Sequence, residues 1–390
     1  MKGISKNKSG ISLIVLVITI IVMIILASAI ILSLRSSGII GRANEAKTKS
    51  DIANAKEVVS LAYAEWELDN ANLKGTYSDF SAYATAKLAE AGFDTDNMYV
   101  TEDGELYTGV AAFFTKNNIA IGTEVTGYTL NDTASYTTDG NENTYDEVNW
   151  IEGAPQPATI TRDENITWSY FGIDESGEAL LLGSVTSTSS KLTLGGKGGY
   201  LNGPSALNTI CDKMYTSDMG VARSINYDDV ISILQYTGPK GWYGYYDDNA
   251  DDGYVEVYTK DALTIAEIQS KLNRTFSIQN APDGGDGSNY KSEISMISKT
   301  DSNIKAGEEV KNLIFKTPEY WLASTSYCFS DEEPHYFNIR SINNSVLDSE
   351  VIFATDDSQS NSVVCAIRPI VELATDVKAS YNGTTVTLSK

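Results

Sequence analysis

The sequence predicts an α+β protein in which a long N-terminal helix, transmembrane in its first half, carries a head of two helices and short, mainly antiparallel strands. Three observations lead there. Residues 11–34 carry no charge and are mostly Ile, Leu and Val. Residues 41–70 are rich in Ala, Glu and Lys, and Ile52, Ala55, Val59, Ala62 and Trp66 recur at the spacing of one helical face. From Thr159 onward, short apolar runs are separated by acidic, Asn- and Ser-rich loops, with two helical patterns among them.

The first run has the length of a membrane span. As a helix, residues 11–34 would reach roughly 36 Å, enough to cross a hydrocarbon core of about 30 Å. Its only polar residues are Ser and Thr, which can bond back to their own helix. A cleaved secretory signal has a shorter apolar core and an Ala-x-Ala-like end. "LASA" at 26–29 is a faint version of that end, but the run continues to Leu34. Lys2, Lys6 and Lys8 precede the run, which keeps the N-terminus in the cytoplasm and places the rest outside, with Arg35 as a mild counter-signal. The glycines of "RSSG" at 35–38 and Gly41 predict a bend or local melting before the amphipathic half.

The junction "KNKSG-ISLIVLVITI" resembles the prepilin leader of type IV pilins and pseudopilins: a short basic stretch ends in Gly10, and the apolar run starts at once. The resemblance implies cleavage by a prepilin peptidase after Gly10 and a methylated mature N-terminus at Ile11. It implies a helix whose residues Leu13, Val15, Leu16, Thr19, Ile20, Ile24 and Leu26 sit first in the membrane and then in a filament core. The family usually places a glutamate at the fifth mature position, where this chain has Val15. The bland alternative is an uncleaved signal anchor. The expected organisation is a leader at 1–10, a helix at 11–66 spanning the membrane over 11–34, a small α/β connecting unit at 67–118, and a head at 119–390. Within the connecting unit, residues 81–91 read as a short helix ending at Gly92, and residues 97–109 as a hairpin around Asp103-Gly104.

Composition excludes some functions. The net charge is −23 over 390 residues, which argues against nucleic acid, since phosphate backbones are bound through an excess of Lys and Arg. One histidine and three cysteines are too few for a His- or Cys-rich metal site. The 23 tyrosines suit half-buried sheets and recognition faces alike.

In the head, "WSYFGIDESGEALLLGS" reads as two strands around a turn. The two helices are read after Pro204 and after the N-cap Asn226. These segments, with "ARSINYDDV", "YWLAS" and "AIRPIVEL", resemble C-type-lectin-like modules of bacterial surface proteins, a fold shared with formylglycine-generating enzymes. The likeness covers roughly residues 150–375. It implies that Trp321 packs beneath a sheet and that Arg368 pairs with buried backbone or a carboxylate. The enzymes of that fold use two cysteines. Cys328 and Cys365 are open to three readings here: such a pair, a disulfide, or two buried thiols.

Other chemical signals are weak. "LGGKGGYLNGP" lacks the Gly-Lys-Ser/Thr ending of a phosphate loop and reads as a tight glycine loop. Asp247, Asn249 and Asp251 alternate like the start of a Ca2+ loop, but the glycine falls one place late and no glutamate closes the frame, so a solvated acidic loop is the default. "EPH" at 333–335 departs from a lectin sugar triplet, and His335 has no partner visible in sequence. The expectation is a structural subunit of a pilus-like surface filament, with other pilin subunits, the prepilin peptidase and the membrane as partners and no catalysis. It would be membrane-held before assembly and extracellular after it. The rival is a membrane-anchored surface protein or a pseudopilin that forms no long fibre.

Overall fold

The computed structural model describes residues 39–138, 158–276, 278, 280–285, 287, 289–294, 296–316, 318–329, 335–355 and 362–390. The chain divides into two compact units, Met1–Leu106 and Tyr107–Lys390.

The first unit is built on helix α1 (Ile39–Leu68), followed by α2 (Asn70–Leu73), α3 (Phe80–Glu90) and β1 (Met98–Val100), the first strand of a hairpin whose second strand, β2 (Leu106–Thr108), begins at the last residue of the unit. The stripe legible in the sequence is the buried one: Ala55, Val59, Ala62 and Trp66 pack against Phe80, Tyr83, Ala84 and Leu88 of α3. Trp66 stacks on Tyr83 with ring centroids 5.6 Å apart. Asp79 starts α3 by accepting from the Ala82 N–H at 2.8 Å, the N-cap bond that satisfies an orphan donor. The hairpin turns at Gly104, whose φ of +88° suits a residue without Cβ.

The expected membrane helix is not what the described chain shows. α1 runs unbroken through Gly41, and Asp51, Lys56, Glu57, Glu65 and Glu67 occupy its other faces. Among the described residues no helix is long and apolar enough to cross a membrane. The leader, the Gly10–Ile11 junction and the apolar positions Leu13, Val15, Leu16, Thr19, Ile20, Ile24 and Leu26 lie outside the described residues.

The second unit corrects the head of two helices. Among its described residues are α4 (Gly109–Lys116), α5 (Gly196–Tyr215), α6 (Tyr227–Ile233), α7 (Ile265–Leu272) and α8 (Glu308–Ile314). α4, α7 and α8 escaped the sequence reading because each spans only two turns, too short for a clear period. α5 begins at Gly196, well before Pro204, so the glycine run expected as a loop is helical. Packing explains it: a Cβ on Gly203 would stand 3.0 Å from Leu194 Cδ1, so small residues let this helix lie close to the sheet.

One sheet has the order β20 (Lys378–Tyr381), β21 (Thr385–Ser389), β3 (Glu124–Thr126), β6 (Trp168–Ile173), β7 (Ala179–Gly183), β19 (Pro369–Leu373) and β9 (Gly220–Ser224). All its pairings are antiparallel except β21 with β3. It is buried on both faces. Tyr170 and Leu181 face a core with α4 and α5, whereas Phe171, Leu180 and Leu182 face a second core with α6 and α8. A second sheet runs β12 (Leu263–Thr264), β13 (Lys291–Ser292), β15 (Tyr320–Cys328), β16 (Tyr336–Asn343), β17 (Val346–Ala354) and β14 (Ile297–Ser298). β18 (Ser362–Ala366) joins β15 to β8 (Lys191–Gly195). Two hairpins stand apart: β4 (Ser135–Thr137) with β5 (Thr159–Thr161), and β10 (Gly241–Tyr246) with β11 (Tyr254–Thr259).

Trp321 and Arg368 are both core residues. Trp321 is fully buried and donates its indole N–H to the Leu192 carbonyl at 2.8 Å. Arg368 Nε and Nη2 donate to the carbonyls of Gly183 and Leu313, each at 3.0 Å, and its guanidinium lies over the Tyr320 ring.

Candidate recognition surface

The hairpin of β10 and β11 has the least ordinary surface of the second unit. Its sequence, GWYGYY facing YVEVYT, alternates with the strand period of two. One side turns inward: Tyr243 is buried in the first core, and Tyr245 and Val257 pack against it. The opposite side sets three cross-strand pairs in a row, Trp242 with Tyr258, Gly244 with Glu256, and Tyr246 with Tyr254.

Trp242 also packs on the second core, while Tyr246 and Tyr258 are 52% and 57% exposed. Gly244 leaves room at the centre of the row. A Cβ there would collide with the Tyr254 hydroxyl, so the Tyr254 ring leans across the glycine. Tyr246 covers Gly253, whose φ is +71°. The Tyr258 hydroxyl donates to Glu256 Oε2 at 2.7 Å, and this bond, followed by burial, holds the Tyr258 pKa above its ordinary value.

The turn between these strands contains Asp247, Asn249 and Asp251. Asp247 closes the loop through its N–H to the Gly253 carbonyl at 2.9 Å. Its carboxylate accepts from both the backbone and the side chain of Asn249, at 2.9 and 3.0 Å, which lowers its pKa. Within the alternation that resembles an ion loop, Asp247 thus bonds its own neighbour.

A different set of carboxylates converges elsewhere. Oxygens of Asp174, Glu178 and Glu372 lie within 4.8 Å of one another, brought together by the β6–β7 turn and the adjacent strand β19. Nothing in the sequence flags them, since two elements far apart in the chain supply them. Protein groups already serve the set. Arg223 Nε bonds Glu372 at 2.8 Å, and the Glu178 N–H bonds Asp174 at 2.9 Å. Arg223 also forks onto Asp229 at 2.6 and 2.8 Å. Beside this network is a cleft of roughly 660 Å³ with an apolar floor that includes Phe171, Ile231 and Tyr236 and an acidic border that includes Asp174, Glu175 and Asp228. Burial, then Asp301, pushes the Tyr236 pKa up to about 12.

The cysteines form no disulfide. Tyr320 pairs with Ala366, so Cys365 sits at one end of β15 and Cys328 at the other. At 3.3 Å per residue the two are roughly 25 Å apart along the strand, against about 6 Å for a bridge. Cys328 Sγ accepts from Asn338 Nδ2 at 3.3 Å. His335 is buried and stacks on Phe329 at 5.4 Å.

No family model matches the chain, and no curated protein or solved structure matches it.

Proposed function

We propose that the chain is a structural subunit of a type IV pilus-like surface filament, held and polymerised through its apolar segment 11–34 and presenting the acidic second unit for adhesion or recognition. The observation that carries the reading is in the sequence: a basic leader ends in Gly10, and the uncharged run begins at the next residue. The unit that follows supports it, because a helix with one buried stripe is what a filament shaft needs next to a compact body. Prepilin peptidase and other subunits are the partners. The segment is membrane-held before assembly and extracellular afterwards, and no catalytic step is involved.

Val15 favours a second reading. Without a carboxylate at that position, the terminal amine of a neighbouring subunit would be buried without a counter-charge, which is costly. A membrane-anchored surface protein or pseudopilin that makes no long fibre avoids that cost.

Intact N-terminal mass spectrometry of protein sheared from cells tests the proposal. A chain beginning at methylated Ile11 is expected. An intact Met1, or a cut near Ala29, overturns it.

A further inference from the structure

The outer face of the β10–β11 hairpin is anchored at its base by Trp242 on the second core and exposes Tyr246 and Tyr258 beyond it. Trp242, Tyr246, Tyr254 and Tyr258 surround Glu256 on one side of the two strands, and the Tyr254 ring lies over Gly244. Aromatic faces carry negative potential and attract cations within about 6 Å. From Lys240 to Lys260 there are five carboxylates, Asp247, Asp248, Asp251, Asp252 and Glu256, against two cations, Lys240 and Lys260, which lie together at the base of the hairpin, away from its acidic turn. Ring quadrupoles and carboxylates therefore act in the same sense.

We infer that this face docks a basic segment of a partner protein, with a Lys or Arg side chain lying across the Tyr258 and Tyr246 rings and its charge against Glu256. A neutral saccharide could also stack on exposed rings, but it would want acceptors and donors left available. The Glu256 carboxylate already accepts from Tyr258, and five like charges add nothing to the binding of a neutral sugar. A cation gains from Glu256 and from the exposed rings of Tyr246 and Tyr258. Backbone pairing in six consecutive registers holds the rings on a fixed frame, which limits the ordering cost of binding.

The inference deepens the recognition half of the proposed function and does not need the filament half. Binding is read on the full-length chain in neutral detergent, where no filament is required, while N-terminal processing is read separately. The probe is oligolysine, titrated at low and at physiological salt. Tyr258→Ala and Glu256→Gln should each weaken binding about 5-fold, the size of a single exposed cation–π or ion contact. Tyr258→Phe, which keeps the ring, should bind nearly as the parent does. Glu67→Gln makes the same charge change on the exposed side of α1 and should leave affinity unchanged.

Equal losses for Glu67→Gln and Glu256→Gln would reduce the effect to overall charge and overturn the inference. So would the absence of oligolysine binding, or a neutral oligosaccharide that binds with the same dependence on Tyr258. Self-association of the chain that Tyr258→Ala abolishes would assign the face to a second copy and overturn it as well.

Discussion

Three cysteines occupy three different environments. Cys211 is fully buried on α5, and burial raises its thiol pKa far out of the physiological range. Burial, reinforced by Glu350 and Glu319, pushes Cys365 up to about 12. Since the thiolate is the reactive form, both should resist iodoacetamide in the native protein at about pH 8. Cys328 is half-buried at a strand end and should be the single residue labelled. Mass spectrometry before and after unfolding checks this: one label native, three denatured, with no need for a reductant. A requirement for reductant would restore the disulfide. The sequence supplies three cysteines. It could not say which were near each other, because the distance along β15 depends on how strands pair.

At the scale of elements, local chemistry and tertiary burial each decided some outcomes. Asn226 capping α6 was readable because the cap is a contact over three residues. Its side chain accepts from the Asp229 N–H at 2.9 Å, and Asp229 answers the Asn226 N–H at 2.8 Å. Helix α7 has the same device in Thr264 and Glu267, although its two turns are too short to announce themselves. Thr264→Ala should therefore lower stability by about 1 kcal/mol, seen as a shift of the denaturant midpoint at unchanged slope. No shift would mean that α7 is held by Ile265 and Ile268 alone, its two buried residues. The opposite case is the start of α5. Its glycines read as a loop by propensity, yet the helix runs through them, because the close approach of Gly203 to Leu194 rewards the absence of a side chain. The tyrosine face of the hairpin had a signal in the sequence, aromatic residues at alternate positions on both sides of the acidic turn. The turn itself reads as a solvated acidic loop, and which side of the strands faces outward is decided by Tyr243 in the core.

For the molecule as a whole, the tyrosines link burial to pH. Burial is the leading cause that raises Tyr128, Tyr200, Tyr215 and Tyr236 to about 12. In the unfolded chain they would ionise near 10, about the value of a free tyrosine. The native state therefore holds protons that the unfolded state releases. Stability is complete below about pH 10 and falls as pH rises from there toward 12. Melting temperatures measured across this window should drop steeply, and absorbance of the native chain should show exposed tyrosines ionising well before buried ones. A single ionisation step near 10 for all tyrosines would contradict the burial described.

The sequence by itself determined the class, α+β, and the amphipathic stripe of α1. It also determined the Asp103-Gly104 turn, the Asn226 cap and the net acidity of the chain. These rest on contacts within a few residues or on totals over the chain, which need no knowledge of the fold. Only the tertiary structure decided the short helices of the second unit, the order of its strands and the separation of Cys328 from Cys365. It alone brought Asp174, Glu178 and Glu372 together and turned Glu256 and its tyrosines outward. Each of these depends on segments distant in sequence meeting across a sheet, where burial on two faces overrides local preference.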